Sequence, residues 1–367
     1  MKIAIITNSS GGLFRFRSDL IRELIKEDNS IVALTPFGRR IENLEELGVQ
    51  LTEVRIDRRG INPLFDFSFL RSIVAFLRDE NPKLVITYTI KPNIYGGIGS
   101  QILRIPYIAN ITGLGTAFEK PGILRTLVII MYRIAFREVK CVFFENSENR
   151  DLFIKERIIS RQKSILLDGA GVNLDLFPVQ PYPEDEEPFQ FLFIGRIMGE
   201  KGVNELFAAM KRLAKEGFNC CLNMLGNYEE NYKLKIDEYT KDGWLNYYGF
   251  QEDIIQFIKA SHCFVLPSYH EGMSNANLEC ASSGRPVITS NIPGCREAVI
   301  ENKTGFLCEP KNTESLYHAM KKMMSLEKEQ RAEMGLQGRR HMEVVFDKKK
   351  VVKETIQAIH TNAVGDL

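Results

Sequence analysis

The sequence contains no uncharged apolar segment long enough to span a bilayer, no paired cysteine motif and no strong excess of charge. The nearest candidate for a span, residues 123–136, is interrupted by Arg125 and Arg133 and is shorter than the ~20 residues that a transmembrane helix needs. The seven cysteines lie mostly in apolar runs and form no CxxC pair, which predicts buried, reduced thiols. A net charge of +1 gives no support for nucleic acid as a partner.

The charge is distributed unevenly along the chain. Residues 1–180 carry 25 Lys and Arg against 20 Asp and Glu, whereas the remainder carries 23 against 27. A mildly basic N-terminal half is compatible with an anionic membrane surface or a phosphate-bearing acceptor. The apolar segment 123–136 has two interpretations, a buried crossover helix and a helix in peripheral membrane contact. The strand-like start, MKIAIITNSS, has no basic n-region, so we expect a cytoplasmic protein, peripherally membrane-associated at most.

Short runs rich in Val, Ile and Phe alternate with amphipathic segments such as 18–27. This alternation predicts parallel sheets covered by helices on both faces. Residues 178–188, PVQPYPEDEEP, hold four prolines and four acidic residues and interrupt the pattern, which restarts at residue 189. We predict an α/β protein with Rossmann-like, doubly wound domains at 1–180 and 189–345 that face each other across a cleft. The linker is predicted at 181–188, and a C-terminal helix, 346–367, is expected to pack back on the N-terminal domain.

Ligands of doubly wound sheets bind beyond the carboxyl ends of the strands. Gly11 and Gly12 follow the first predicted strand and lead into a helix expected to begin near Phe14. Glycines here allow a backbone to approach a ligand closely, although an ordinary strand-to-helix turn explains them equally well. The full GxGxxG fingerprint is missing, and the second strand ends in Thr35-Pro36 without a ribose-binding acid, which disfavours an NAD enzyme.

Two cations are predicted at one edge of the second sheet. Arg196 ends a strand, and Lys201 follows it at the start of a helix. Permanent positive charge at such an edge can hold a diphosphate and stabilise negative charge on a leaving nucleoside diphosphate. Solvated surface charges are the alternative interpretation.

The most specific motif is EGMSNANLE, residues 271–279, which follows the strand-like CFVLPS and leads into a helix. Ser274 or Asn275 can cap that helix, so that its free N–H groups face an anion. Glu271 precedes the helix and Glu279 lies about one turn inside it. The two carboxylates can therefore accept hydrogen bonds from different hydroxyls of one nucleotide sugar.

The Glu-(seven residues)-Glu arrangement, with Gly195-Arg196 and Glu200-Lys201-Gly202 upstream and Thr304-Gly305-Phe306-Leu307 downstream, resembles the family 4 retaining glycosyltransferases of the GT-B fold. The resemblance covers essentially the whole chain and is strongest over 190–310. Residues 89–96, TIKPNIYG, and 110–115, NITGLG, resemble the branch that builds bacterial surface glycans. That branch includes enzymes that add N-acetylgalactosamine or related sugars to lipid-diphosphate-linked acceptors.

The resemblance implies a role for each motif residue. Arg196 and Lys201 would hold the diphosphate and Glu271 would contact the transferred sugar, so these three form the implied catalytic set. The implied substrate-binding residues are Glu279 for the ribose, Met273, Ser274, Asn275 and Ala276 for sugar and phosphate, Gly249 and Phe250 for the base, and Gly11, Gly12 and Asn110 in the N-terminal domain.

One departure from the family pattern concerns histidine. Many members place a histidine near the reacting sugar in the N-terminal domain, whereas all five here, the first of them His262, lie in the second half. Either another group of the N-terminal domain, such as Lys91, Asn110 or Thr112, orients the sugar, or this branch manages without one, and the acceptor base stays unassigned. His270 directly precedes Glu271 and has two interpretations, a cleft residue and a loop residue without a role.

The implied activity is transfer of a hexose or N-acetylhexosamine from a UDP-sugar to an oligosaccharide or lipid-linked acceptor, such as a polyprenyl-diphosphate-linked sugar, in bacterial surface polysaccharide synthesis. We expect no cofactor and no metal, because no Asp-x-Asp motif ends a strand and no His/Cys cluster is present. A UDP-sugar epimerase of the same architecture is the rival enzyme. A catalytically silent scaffold that binds nucleotide sugar is the alternative outside enzymes.

Overall fold

A computed structural model describes residues 1–57, 60, 62–115, 118, 122–184 and 188–364. Part of the predicted linker, residues 185–187, and the last three residues of the predicted C-terminal helix lie outside the described residues. The chain forms two compact units, residues 1–170 with 349–367 and residues 171–348. The units divide after Ala170, ahead of the predicted boundary at residue 180, because Val172 N–H donates to Phe346 O (2.8 Å) and Lys348 N–H donates to Val172 O (3.1 Å).

The first unit is built on a sheet of seven parallel strands in the order β3-β2-β1-β4-β5-β6-β7. Its strands are β1 (Lys2–Ile6), β2 (Ser30–Thr35), β3 (Gln50–Glu53), β4 (Leu84–Tyr88), β5 (Tyr107–Ile111), β6 (Cys141–Phe144) and β7 (Ser164–Leu166). Its helices are α1 (Ser10–Lys26), α2 (Ile41–Glu46), α3 (Pro63–Glu80), α4 (Gly97–Leu103), α5 (Ile123–Ala135), α6 (Ser147–Lys155) and α13 (Lys348–Ile359). Two buried clusters cover this sheet, and α13 contributes Val352 and Ile359 to one of them.

The second unit repeats the design with six parallel strands in the order β10-β9-β8-β11-β12-β13. Its strands are β8 (Phe189–Ile194), β9 (Cys220–Leu225), β10 (Leu245–Tyr247), β11 (Cys263–Leu266), β12 (Val287–Ser290) and β13 (Gly305–Cys308). Its helices are α7 (Val203–Lys215), α8 (Lys233–Lys241), α9 (Ile255–Lys259), α10 (Asn275–Ser282), α11 (Thr313–Met324) and α12 (Lys328–Val345). The predicted fold class, two doubly wound parallel sheets with helices, is confirmed.

Strand order decides where each sheet can bind a ligand. In both units the order reverses direction, between β1 and β4 in the first and between β8 and β11 in the second. Connections leave a doubly wound sheet on opposite faces at such a point, which opens a crevice beyond the strand carboxyl ends. Segments that follow these four strands are therefore the first places to look for a site. Within the described residues, no helix combines the length and the apolar composition needed to cross a membrane.

All seven cysteines are buried and unpaired, as predicted. Burial raises the pKa of the Cys141, Cys220 and Cys308 thiols to about 12. Because the thiolate is the reactive form, we expect Ellman's reagent to modify the native protein slowly at neutral pH and all seven thiols rapidly after unfolding in guanidinium. Fast modification of even one thiol in the native state would contradict this burial.

Candidate active site

The predicted cations and carboxylate of the second unit lie at its strand-order reversal. Arg196 and Lys201 follow β8, and Glu271 follows β11, the strand that pairs with β8. Parallel strands end at the same edge of a sheet, so the three residues lie on the two loops that flank the crevice. The sequence interpretation of a charged site at this edge thus corresponds to the point where the topology provides room for a ligand.

Lys201 and Glu271 form an ion pair. The Lys201 Nζ donates to Glu271 Oε1, and the two side chains are only 15% and 14% exposed. Ser268, which is fully buried, donates from its hydroxyl to the same carboxylate oxygen (2.8 Å). A half-buried cation and carboxylate are thus held in fixed positions at the crevice, and a buried hydroxyl orients the carboxylate.

Close packing of two loops brings these groups together. Gly202 has φ +69°, and a Cβ there would lie 2.0 Å from Pro267 O, so only glycine allows this approach. The Tyr269 N–H donates to Glu200 O (2.8 Å), and its hydroxyl donates to Glu205 Oε2 (2.6 Å). Burial, with the Glu205 hydrogen bond second, raises the pKa of the Tyr269 phenol, which therefore stays a neutral donor. The loop after β8 and the loop after β11 form one hydrogen-bonded structure.

Helix α10 begins beside this pair. Ser274 is its N-cap and accepts from Asn277 N–H (3.4 Å), which decides between the two predicted capping residues. The Ser274 N–H donates to Gly294 O (2.7 Å); a Cβ at Gly294, with φ +79°, would lie 2.4 Å from Gly272 O. The backbone of residues 273–276 is thus fixed where the positive end of the α10 dipole points. Glu279 lies inside the helix and is buried.

The other predicted residues of the second unit follow neighbouring strands. Arg196 is about half exposed, and its Nη1 lies 3.6 Å from Glu229 Oε1. Gly249 follows β10, has φ +66°, and accepts through its carbonyl from Gly226 N–H (2.8 Å). Phe250 is exposed. Gly249 and Phe250 thus lie at the carboxyl edge of the same sheet, on the side of β8 away from β11, whereas Arg196 follows β8 itself and contacts the loop after β9.

In the first unit, the predicted start of the first helix is wrong. The Ser9 hydroxyl accepts from Gly12 N–H (3.1 Å), so α1 begins at Ser10 rather than near Phe14. Gly11 and Gly12 therefore lie within the first turn of α1 and not in a loop that precedes it. The side chain of a serine N-cap accepts a hydrogen bond from an N–H group that has no partner within the helix. This local bond allows α1 to begin at Ser10, directly after the short connection from β1.

Of the groups predicted to orient the sugar, Lys91 follows β4, Asn110 lies within β5 and Thr112 comes directly after β5. Lys91 Nζ lies 2.5 Å from Asp66 Oδ1, with both side chains largely buried. The Asn110 amide donates to Thr87 O (3.2 Å) and is buried. Thr89, directly after β4, has φ +74°, an uncommon conformation for a β-branched residue, and its buried hydroxyl has no hydrogen-bond partner. Backbone strain of this kind occurs at functional sites, and in this unit it lies in the segment directly after β4.

The sequence interpretation missed the partners of the predicted residues. Glu229 and Asp66 pair with predicted cations, and Ser268 holds the predicted carboxylate. Ser268 could have been noticed, because it lies three residues before Glu271 and directly after a strand and a proline. Nothing in the local sequence distinguishes Glu229 or Asp66 from other surface acids, because each meets its partner only through the tertiary fold.

Comparison with known proteins identifies related families and enzymes. Residues 179–341 match the family Glycosyl transferases group 1, and residues 2–146 match Glycosyl transferase 4-like. The chain is similar to the Campylobacter jejuni N,N'-diacetylbacillosaminyl-diphospho-undecaprenol alpha-1,3-N-acetylgalactosaminyltransferase, with 24% identity over 89% of this chain and 90% of that protein. It is also similar to the Escherichia coli UDP-Gal:alpha-D-GlcNAc-diphosphoundecaprenol alpha-1,3-galactosyltransferase, with 28% identity over 71% of each chain.

Solved structures share the fold. Anabaena Alr3699/HepE in complex with UDP and glucose has a TM-score of 0.80 at 16% identity, over 98% of this chain and all of that chain. A glycosyltransferase from Rickettsia africae has a TM-score of 0.79 at 17% identity, over 98% of both chains.

Proposed function

Because the chain belongs to the group 1 glycosyltransferases, we propose that it transfers a hexose or N-acetylhexosamine from a UDP-sugar to a lipid-linked or oligosaccharide acceptor with retention of anomeric configuration. The observation that carries this proposal is the Lys201–Glu271 pair at the β8/β11 crevice, next to the start of α10. A fixed cation and an amide-rich helix end suit a pyrophosphate. A carboxylate four residues before that helix suits the hydroxyls of a sugar.

We propose a role for each of these residues. Lys201 and Arg196 bind the diphosphate, and Glu271 exchanges its contact with Lys201 for a contact with the transferred sugar. Glu279, buried in α10, accepts from the ribose hydroxyls. The backbone of residues 273–276 binds sugar and phosphate, Gly249 and Phe250 the base. We also propose Gly11, Gly12 and Asn110 of the first unit as substrate-binding residues.

The proposed reaction breaks the bond between the anomeric carbon and the diphosphate oxygen. The acceptor hydroxyl oxygen forms the new bond to the same carbon on the same face, and its proton passes to the departing diphosphate. Negative charge then develops on the leaving group, where preorganised cations and N–H donors lower the barrier. We propose that Lys201, Arg196 and the start of α10 supply this stabilisation without a divalent cation.

The relatives suggest the substrate classes. The names of the Campylobacter and Escherichia coli enzymes describe acceptors that are sugars on diphosphoundecaprenol, and the second names a UDP-sugar donor. By analogy we propose that this chain uses a UDP-sugar and a polyprenyl-diphosphate-linked acceptor in surface polysaccharide synthesis. Such an acceptor would bring the enzyme into peripheral contact with the inner face of a membrane.

A thermal-shift screen of nucleoside diphosphates and their sugars tests the donor. Trp244, the single tryptophan of the chain, is buried in the second unit and reports its unfolding by fluorescence. A ligand at 100 times its Kd stabilises by about 2.7 kcal/mol, which raises the Tm of a unit of this size by about 5–10 °C. We expect UDP and UDP-sugars to give the largest shifts. Indifference to every nucleotide would contradict the proposed function.

Incubation of the protein with a radiolabelled UDP-sugar and no acceptor separates transfer from epimerisation. A transferase should hydrolyse the donor slowly, because water is a poor substitute for a positioned acceptor. Steady conversion of the sugar to its epimer would overturn the transferase proposal.

A further inference from the structure

Helix α5 presents apolar side chains on its outer face as well as on its inner face. Ile123, Leu127, Ile130 and Ile134 are 45% to 91% exposed, and their spacing aligns them along one side of the helix. We call these four residues the α5 stripe. The inner face of the same helix is already buried against the sheet through residues such as Val128, Ile129 and Tyr132. The α5 stripe is therefore not part of the core packing of the first unit.

More exposed apolar residues lie around the stripe. Leu124 is exposed on α5 itself. The exposed Ile102 is next to Gln101, whose amide donates to Ile134 O (3.0 Å) and Ala135 O (2.9 Å). Helix α4 thus adjoins the carboxyl end of α5, and both helices expose apolar side chains. Exposed apolar surface of this kind marks an interaction site.

The sequence around the stripe is strongly basic. Residues 81–140 contain eight Lys and Arg and two Asp and Glu, although the whole chain is nearly neutral. Arg125 is tied to Glu156 Oε1 (2.9 Å) and Arg133 to Glu156 O (2.6 Å). Arg104 and Arg137 are exposed at the carboxyl ends of α4 and α5. A row of aliphatic side chains with cations beside it complements a lipid layer, whose interior is apolar and whose surface can be anionic.

We propose that the α5 stripe lies in the headgroup region of an anionic lipid membrane, with the neighbouring arginines on the lipid phosphates. The four stripe residues are aliphatic and offer no hydrogen bond, and they lie along the outer face of a single helix. Both features suit a fluid, apolar partner better than a folded one. This inference rests on the proposed function for its physiological meaning. An enzyme that uses a lipid-linked acceptor must reach that acceptor at the membrane surface.

Vesicle flotation of the full chain tests the proposal. The variant Ile123→Gln/Leu127→Gln/Ile130→Gln keeps good helix formers on an exposed face. We expect wild type to float with vesicles of phosphatidylglycerol and phosphatidylcholine, and the variant to bind about tenfold or more weakly. The matched control is Leu234→Gln/Leu336→Gln/Val344→Gln, which removes three exposed aliphatic residues from the second unit and should float like wild type.

A second variant keeps the test independent of the stripe's effect on folding. Arg104→Gln/Arg137→Gln should reduce binding to phosphatidylglycerol vesicles and weaken its dependence on salt, because exposed charges are screened. Flotation of the triple stripe variant equal to wild type, or absence of flotation by wild type, would overturn the proposal. So would a wild-type dimer, measured by light scattering without lipid, that the stripe variant abolishes, because the stripe would then contact a second copy.

The outcome is separable from that of the proposed function. The stripe variant should retain the UDP-dependent thermal shift, because the stripe lies in the first unit and the Lys201–Glu271 pair in the second. A wild-type protein that floats with vesicles but shows no thermal shift with nucleotides would contradict only the proposed transferase function. A wild-type protein that binds UDP but not vesicles would contradict only the proposed membrane-binding surface.

Discussion

Replacing Lys201 with alanine is expected to lower kcat/KM for sugar transfer by about 100-fold to 1000-fold. Removal of one preorganised donor to a developing negative charge typically costs about 3–4 kcal/mol of transition-state stabilisation. Lys201 is such a donor in the proposed mechanism, because its ammonium is half-buried at the crevice and fixed by Glu271. Initial rates with the donor sugar that gives the largest thermal shift would measure the loss.

The control for this variant is Lys215→Ala. Lys215 is exposed in the last turn of α7, so its removal takes one positive charge from the same unit without touching the crevice. Its rate should equal that of wild type, because exposed charges contribute little. If Lys201→Ala and Lys215→Ala transferred sugar at the same rate, Lys201 would have no part in catalysis.

Glu271 offers a companion test of the same pair. Its carboxylate pairs with Lys201, so a donor diphosphate competes with it for the lysine. Glu271→Gln should therefore bind UDP at least as tightly as wild type, since one negative charge beside the diphosphate is gone. Transfer should nevertheless fall steeply, because the sugar contact is weakened. Unchanged turnover in Glu271→Ala would remove Glu271 from its proposed role.

Replacing Arg285 with methionine is expected to lower the free energy of unfolding of the second unit by about 3 kcal/mol. Arg285 is 1% exposed, and its guanidinium donates to Ile258 O (2.9 Å), Gln180 O (3.1 Å), Pro181 O (2.6 Å) and Lys259 O (3.1 Å). Methionine fills similar space but donates no hydrogen bond, so these carbonyls lose their partner.

Urea unfolding followed by Trp244 fluorescence measures this loss in the second unit alone. With a denaturant slope of ~1–3 kcal/mol per molar, the midpoint should fall by about 1–3 M. Arg340→Met is the control, since Arg340 is 61% exposed on α12 and its loss should leave the midpoint unchanged. An unchanged midpoint for Arg285→Met would mean that the cost of burying the charge cancels its hydrogen bonds.

Arg285 also explains why the linker prediction and the structure differ in detail. The proline-rich composition of residues 178–188 indicated a segment outside both domains. The Arg285 bonds to Gln180 and Pro181, with the Tyr182 hydroxyl donating to His262 O (2.8 Å), instead hold the start of this segment on the second unit. A proline-rich composition excludes helix and strand, but it says nothing about which buried side chain will bind the free carbonyls.

Local sequence patterns and long-range contacts therefore contribute different information about this protein. Hydrophobic periodicity and turn residues are local, so they were enough to predict the alternation of strands and helices, the two parallel sheets and the position of the charged motifs after β8 and β11. The pairing of Lys201 with Glu271 and of Arg196 with Glu229, and the outward direction of the α5 stripe, became visible only in the folded chain. Each depends on which segments meet, and segments far apart in the chain meet through strand order and close contacts such as that between Gly202 and Pro267, which no local pattern encodes.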